Sequence, residues 1–385
     1  MKKIFKLKNL IFLIVFLLPS YLIRFHPGSA SFNLLEVLIA LAFLWWLSKA
    51  EKNRILKLFF ENKKYLLAVA FIISGLFISA FSGGNWRLGL GVIKGWFVFP
   101  LIFILIAVDT LDDEGKIKLI KTYYLSAFFI SLLSLGFLFL GNLTYDGRLT
   151  GIFNSPNYLA MYIAPAIIIA RHLGFKKPFV YFSSAILLLA LFFTYSYASW
   201  MAAAVSLAIV FGLERKNIKR NMIIFLMIII TALFLLKNTE KFNDLINLSE
   251  RSSFESRKMI WRTTGKIISD NWLWGIGPGN FQGKYLEYQK YYPPYLEWAV
   301  PHPHNIFLTF WLYGGISGIF GFLMLLYFWA IDMFKIEKTH TFFYVSLGIM
   351  LYILFHGLVD TTYFKNDLAF IFWLAFLAVI KTPSR

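Results

Sequence analysis

The chain has 385 residues, a formal net charge of +18, no cysteine, and 59% hydrophobic and 19% aromatic residues. A mean hydropathy of +0.66 is far above that of soluble domains, and the apolar residues fall into runs near the roughly 20 that cross a bilayer. The lack of cysteine excludes disulfides, thiolate metal sites and a cysteine nucleophile. The basic excess calls for no nucleic acid, because no aromatic-basic pattern suited to base stacking accompanies it.

Twelve segments are predicted as membrane helices: 9–24, 33–48, 65–81, 88–108, 118–140, 157–172, 178–195, 199–213, 220–236, 315–333, 341–359 and 367–380. The expected fold is therefore an all-α, polytopic membrane protein of about 12 helices with one large extracytoplasmic helical loop. Residues 1–237 hold helices one to nine, 238–302 the loop, and 303–385 the last three helices. Lys2, Lys3, Lys6 and Lys8 could head a signal peptide, but Arg24 and His26 part the apolar run from Gly28-Ser29-Ala30, so the first span is expected to stay. With the N-terminus inside, the inner segments carry 23 Lys and Arg and the short outer loops only Arg24, Arg87, Arg148 and Lys365. That bias predicts both termini in the cytoplasm and the long loop outside. It also accounts for most of the net charge, set beside anionic lipid.

Charges within the spans are candidates for function. Glu36 and Lys94 both fall in the outer leaflet and are expected to pair. Asp109-Thr110-Leu111-Asp112-Asp113-Glu114 could hold Mg²⁺ against a pyrophosphate on the inner side, or simply start the next helix near its positive end. Arg148 lies in an ordered turn, Gly147-Arg148-Leu149-Thr150-Gly151-Ile152-Phe153-Asn154-Ser155-Pro156-Asn157, with Asn157 as the expected helix cap and the arginine placed to grip phosphate oxygens.

In the long loop, Ser252 and Glu255 read as a capping box opening a helix to about Ile268. On it Arg257, Trp261, Thr264 and Ile268 share one stripe, and Lys258, Arg262 and Lys266 a solvated one. Gly275-Ile276-Gly277-Pro278-Gly279 reads as a turn, having the wrong spacing for a nucleotide loop. Pro301-His302-Pro303-His304-Asn305 then sets two of the six histidines at the membrane boundary, where imidazole can accept and donate protons. Being two apart, the histidines are expected to point differently. A zinc site would need further ligands from His26, His356 or Asp360, so no metal is expected. His356 and Asp360, four apart, could orient a group in the same site.

Pro301-His302-Pro303-His304-Asn305-Ile306-Phe307-Leu308, followed by Trp311, Gly314, Gly315 and Gly318, resembles the signature of the O-antigen ligase and polymerase superfamily. The Arg148 turn, the stretch from Arg257 to Trp261 with Gly275 to Phe281, and His356-Gly357-Leu358-Val359-Asp360 resemble further family pieces, so that the likeness covers roughly residues 145–380. It implies inverting, metal-independent glycosyl transfer without a cofactor, from an undecaprenyl-pyrophosphate-linked glycan to lipid A-core or another glycan acceptor. The site would face the periplasmic or outer side of the bacterial inner membrane. Carried onto this chain, the resemblance implies His304 as base and Arg148 and Arg257 as ligands of the donor pyrophosphate. Arg262 is a further candidate for that group, and His302, Asn305, His356, Asp360, Lys94 and Glu36 stand in support. The outer loop 25–32 holds no Asp or Glu, so the acidic metal site of many other lipid-linked glycosyltransferases is missing.

Ligase and polymerase share this chemistry, and the single long outer loop favours the ligase. A lipid-linked glycan transporter is the rival of another class, against which stands the lack of internal repeats. An inner-face pyrophosphate enzyme using Asp109, Asp112 and Asp113 is a third reading.

Overall fold

The computed structural model describes residues 6–26, 28, 31–214, 253–293, 300–338 and 340–382. Helices dominate. They are α1 (Leu7–Phe16), α2 (Leu34–Leu47), α3 (Lys52–Glu61), α4 (Lys63–Ser82), α5 (Trp86–Thr110), α6 (Asp113–Phe139) and α7 (Pro156–Ile169). There follow α8 (Lys177–Phe193), α9 (Tyr197–Leu213), α10 (Ser253–Asp270), α11 (Phe281–Tyr288), α12 (Ile306–Met333), α13 (Thr341–Gly357) and α14 (Asn366–Ala378). The strands are β1 (Arg24–Phe25) and β2 (Phe32–Asn33), an antiparallel pair closing the loop between α1 and α2.

The chain is a nearly all-α membrane protein. Helices α4, α5, α6 and α12 are each long and apolar enough to cross a bilayer, and α1, α2, α8, α9, α13 and α14 are shorter apolar helices. A helix occupies every predicted span except 220–236, which lies outside the described residues, as does Ser252 of the expected capping box. Short polar residues punctuate the apolar runs and start the helices. Asn33 and Glu36 form a capping box on α2, Asp112 caps α6, Ser155 caps α7 and Asn305 caps α12. Two details differ from expectation. The cap of α7 is Ser155 rather than Asn157, whose side chain is drawn elsewhere. Helix α12 begins at Ile306 and runs on through the span predicted from 315, longer than the short interfacial helix expected of the segment from Asn305.

That run is broken at Gly315, with φ 60° and ψ −157°, so α12 is two helices joined across a kink. The break receives the chain from 271 to 280: Ile276 N–H donates to the Leu312 carbonyl at 2.7 Å, and Ile316 N–H to the Leu273 carbonyl at 3.1 Å. A Cβ on Gly315 would stand 2.1 Å from the Leu273 oxygen, so only glycine fits. Beside the break, α12 lies against α4 through small residues. A Cβ on Gly75 would meet the Gly314 oxygen at 2.4 Å, which is how the two backbones come so close.

Candidate active site

The N-terminal ends of α7 and α12 and the C-terminal end of α13 lie together at one end of the bundle, and the side chains singled out in sequence converge there. The first of them is His304. Its backbone is left-handed, at φ +48°, between the Pro303 that fixes its approach and the Asn305 that caps α12. This turn brings its ring back against His302, edge to face with centroids 4.5 Å apart. The expectation that the two histidines diverge is thereby corrected, since spacing arguments assume a regular backbone and the left-handed residue abolishes it.

His304 Nδ1 lies 3.2 Å from Asp360 Oδ1. Asp360, 1% exposed, follows the last turn of α13. Its Oδ1 also accepts from Thr361 N–H at 2.8 Å and its Oδ2 from Asn157 Nδ2 at 3.2 Å. Burial raises the Asp360 carboxyl pKa, but the charge of His304 and its hydrogen bond outweigh this and hold it well below the usual carboxylate range. Asn157 then hands the network on, its Oδ1 accepting from Arg148 Nη2 at 2.8 Å. Arg148 Nε donates to the Thr194 carbonyl at 2.8 Å. Burial lowers the guanidinium's pKa and Asp146 opposes the shift, leaving an always-charged group on a rigid turn.

Arg257 reaches the same place from α10, its Nε donating to the Val359 carbonyl at 2.9 Å. It is half-buried and close enough to contribute to the electrostatics of Arg148 and His302. On the same stripe, Trp261 Nε1 donates to the Pro303 carbonyl at 3.0 Å, pinning the His-Pro-His turn to the loop helix. Arg262, Lys258 and Lys266 are exposed on the other stripe. His302 is half-buried, its Nε2 3.5 Å from the Tyr158 hydroxyl. Burial, and then the neighbouring His304, push its pKa down to about 3, so it is neutral at physiological pH. Asn305 donates from Nδ2 to the Leu358 carbonyl at 2.9 Å, tying the cap of α12 to the end of α13.

Other expected members stand apart. His356 is fully buried one turn deeper, with Nδ1 2.9 Å from the Tyr352 hydroxyl, so of the pair four apart only Asp360 touches His304. Glu36 and Lys94 do pair, Nζ to Oε2 at 2.9 Å, and Lys94 also donates to the Ser31 carbonyl and lies 4.1 Å from the Phe32 ring. These contacts stay within the α2–α5 junction. The carboxylates of residues 109–114 are taken up locally. Asp109 accepts from Arg54 Nε at 2.7 Å and Trp46 Nε1 at 2.8 Å, while Asp113 and Glu114 pair with Lys116 and Lys118 along α6.

Two residues that sequence reasoning left aside belong near the site. Tyr158 touches His302, and Lys365 places its Nζ 3.4 Å from the centre of the Tyr158 ring. Burial lowers the lysine's pKa to about 8, against the pull of Asp367. Its signal was available, as the single basic residue between the last two predicted spans.

An imidazole oriented by a buried carboxylate, with two arginines beside it at the end of a membrane helix bundle, defines an integral membrane protein with an enzyme-like site. Residues 182–323 match the family model described as O-Antigen ligase, a stretch that contains Arg257, His302 and His304. Over that stretch the chain is similar to the O-antigen ligase family. No curated protein matches it.

Proposed function

We propose that the protein is an O-antigen ligase-type glycosyltransferase. It moves a glycan from undecaprenyl pyrophosphate to an acceptor hydroxyl, such as one on lipid A-core, at the outer face of the inner membrane, by an inverting displacement that uses no metal. The observation that carries this reading is the His304–Asp360 contact beside Arg148 and Arg257. With Nδ1–H donating to Asp360, His304 Nε2 keeps its lone pair for a proton, and the carboxylate stabilises the imidazolium that forms. The acceptor oxygen attacks the anomeric carbon as Nε2 takes its proton, and the bond from that carbon to the pyrophosphate oxygen breaks. Charge grows on the leaving pyrophosphate, where guanidinium groups act most strongly in the transition state. Two arginines near enough to repel each other favour an anion between them, which supports assigning them to the donor.

The test is transfer by purified protein given a lipid-linked glycan and an acceptor, without ATP or an ion gradient. Product formation is expected and excludes a pure transporter. His304→Ala should lose ~10²–10⁴-fold in rate while expression and donor binding stay near normal. A His304→Ala protein that still transfers, or that is silent only because donor no longer binds, would refute the base assignment. The polymerase alternative shares every step. In a strain lacking the protein, loss of all O-chain on intact core indicates the ligase and a single retained repeat unit the polymerase.

A further inference from the structure

Among the described residues, His302, His304 and Asp360 form the group whose donor atoms could hold a metal ion, each offering one atom within 4.8 Å of the others. We propose that these three side chains bind a divalent transition-metal ion, best matched by Zn²⁺, and that the ion inhibits the enzyme by taking the imidazole that serves as base. The inhibitory part rests on the reading of His304 given above.

The geometry that argues for it comes from two sources. The left-handed turn at His304, set between prolines, folds a His-x-His pair so that both rings face one carboxylate. Independently, Nδ1 of His302 is buried and has no hydrogen-bond partner among the described residues. A buried polar nitrogen left unmet is unfavourable, and an ion between the rings would satisfy it. The outer contacts are those that orient metal ligands. Tyr158 stands at His302 Nε2, so that ring can carry its proton there and turn the Nδ1 lone pair inward, and Asn157 holds the second oxygen of Asp360. Two imidazoles and one carboxylate suit Zn²⁺, Cu²⁺ or Ni²⁺ better than Mg²⁺ or Ca²⁺, and leave a fourth position for water or a phosphate oxygen. An ion on His304 Nδ1 confines that ring's proton to Nε2, and an ion on Nε2 occupies the lone pair outright. Either way the ring can no longer accept the acceptor's proton.

The full chain in detergent, stripped with a chelator, is titrated with ZnCl₂ and with MgCl₂ by calorimetry. One Zn²⁺ per chain and no Mg²⁺ are expected, with His302→Gln and Asp360→Asn each weakening zinc at least tenfold. No saturable zinc binding, or binding unchanged in both variants, overturns the site. Zinc-edge X-ray absorption on the unmodified chain tests it without a substitution: imidazole nitrogens with a carboxylate oxygen support it, and an oxygen-only shell overturns it. In the transfer assay, saturating Zn²⁺ should cut the rate at least tenfold and excess EDTA restore it. A rate indifferent to Zn²⁺, or abolished by EDTA, overturns the inhibitory role. Zinc bound at these residues in a protein that performs no transfer supports the site and counts against glycosyl transfer alone.

Discussion

At the scale of single residues, the chemistry turns on which cations and protons are held by the fold and which face water. Arg257 and Arg262 lie five apart on one helix, yet the first bonds the Val359 carbonyl beside the histidines and the second is exposed. Arg257→Ala should therefore remove most transfer activity and lower kcat/KM by at least ~10²-fold, as expected for a group that meets charge in the transition state. Arg262→Ala should lose less than about threefold. Equal losses at matched expression would contradict this division. His302 gives a pH prediction. Its folded pKa is near 3, below the ordinary value of about 6.5, so the unfolded chain binds the extra proton between those limits. Its contribution is intact above about pH 6.5 and is lost as pH falls toward 3. His302→Gln should flatten the acid side of the stability curve by up to one proton, measured as the slope of unfolding free energy against pH in detergent. An unchanged slope would mean that the imidazole is not held neutral by burial.

At the scale of elements, two joints decide whether these residues meet. One is the α2–α5 junction, where the Lys94 ammonium reaches the buried Glu36 carboxylate. Neutralising either partner strands the other and should cost about 2–4 kcal/mol. Glu36→Gln with Lys94→Met should recover part of that loss, and thermal melting of both singles and the double variant would show coupling or its absence. The other joint is the break in α12. Gly315→Ala puts a methyl group onto the Leu273 carbonyl and a side chain at φ 60°, so it should destabilise by at least about 2 kcal/mol. It should also expose the 271–280 stretch to protease before the rest of the bundle melts. Proteolysis that starts elsewhere would show that the loop is held by other means. The first joint was legible in the sequence, since charges in apolar spans must find partners. The second was not. Gly314-Gly315 in an apolar run reads as a helix with small residues, and only the docked loop shows that one of them leaves the helix.

For the whole molecule, hydropathy yielded helices at the expected segments among the described residues, because a bilayer forces backbone hydrogen bonds to close within each span. Periodicity also separated Arg257 from Arg262. What pattern could not supply was contact between segments far apart in the chain. Asn157 read as a cap and is instead the bridge between Arg148 and Asp360. His302 and His304 read as divergent because their φ angles are not written in their spacing. Lys365 was counted as a topological charge, and its place over the Tyr158 ring was invisible. The bridge itself has a consequence for how the protein is made. Arg148, Asn157, His304 and Asp360 are joined in one line, though more than 200 residues separate the first from the last. During synthesis His304 leaves the ribosome before Asp360, the carboxylate it contacts. The nascent chain therefore carries its imidazole without its partner, and the line closes only when the end of α13 docks.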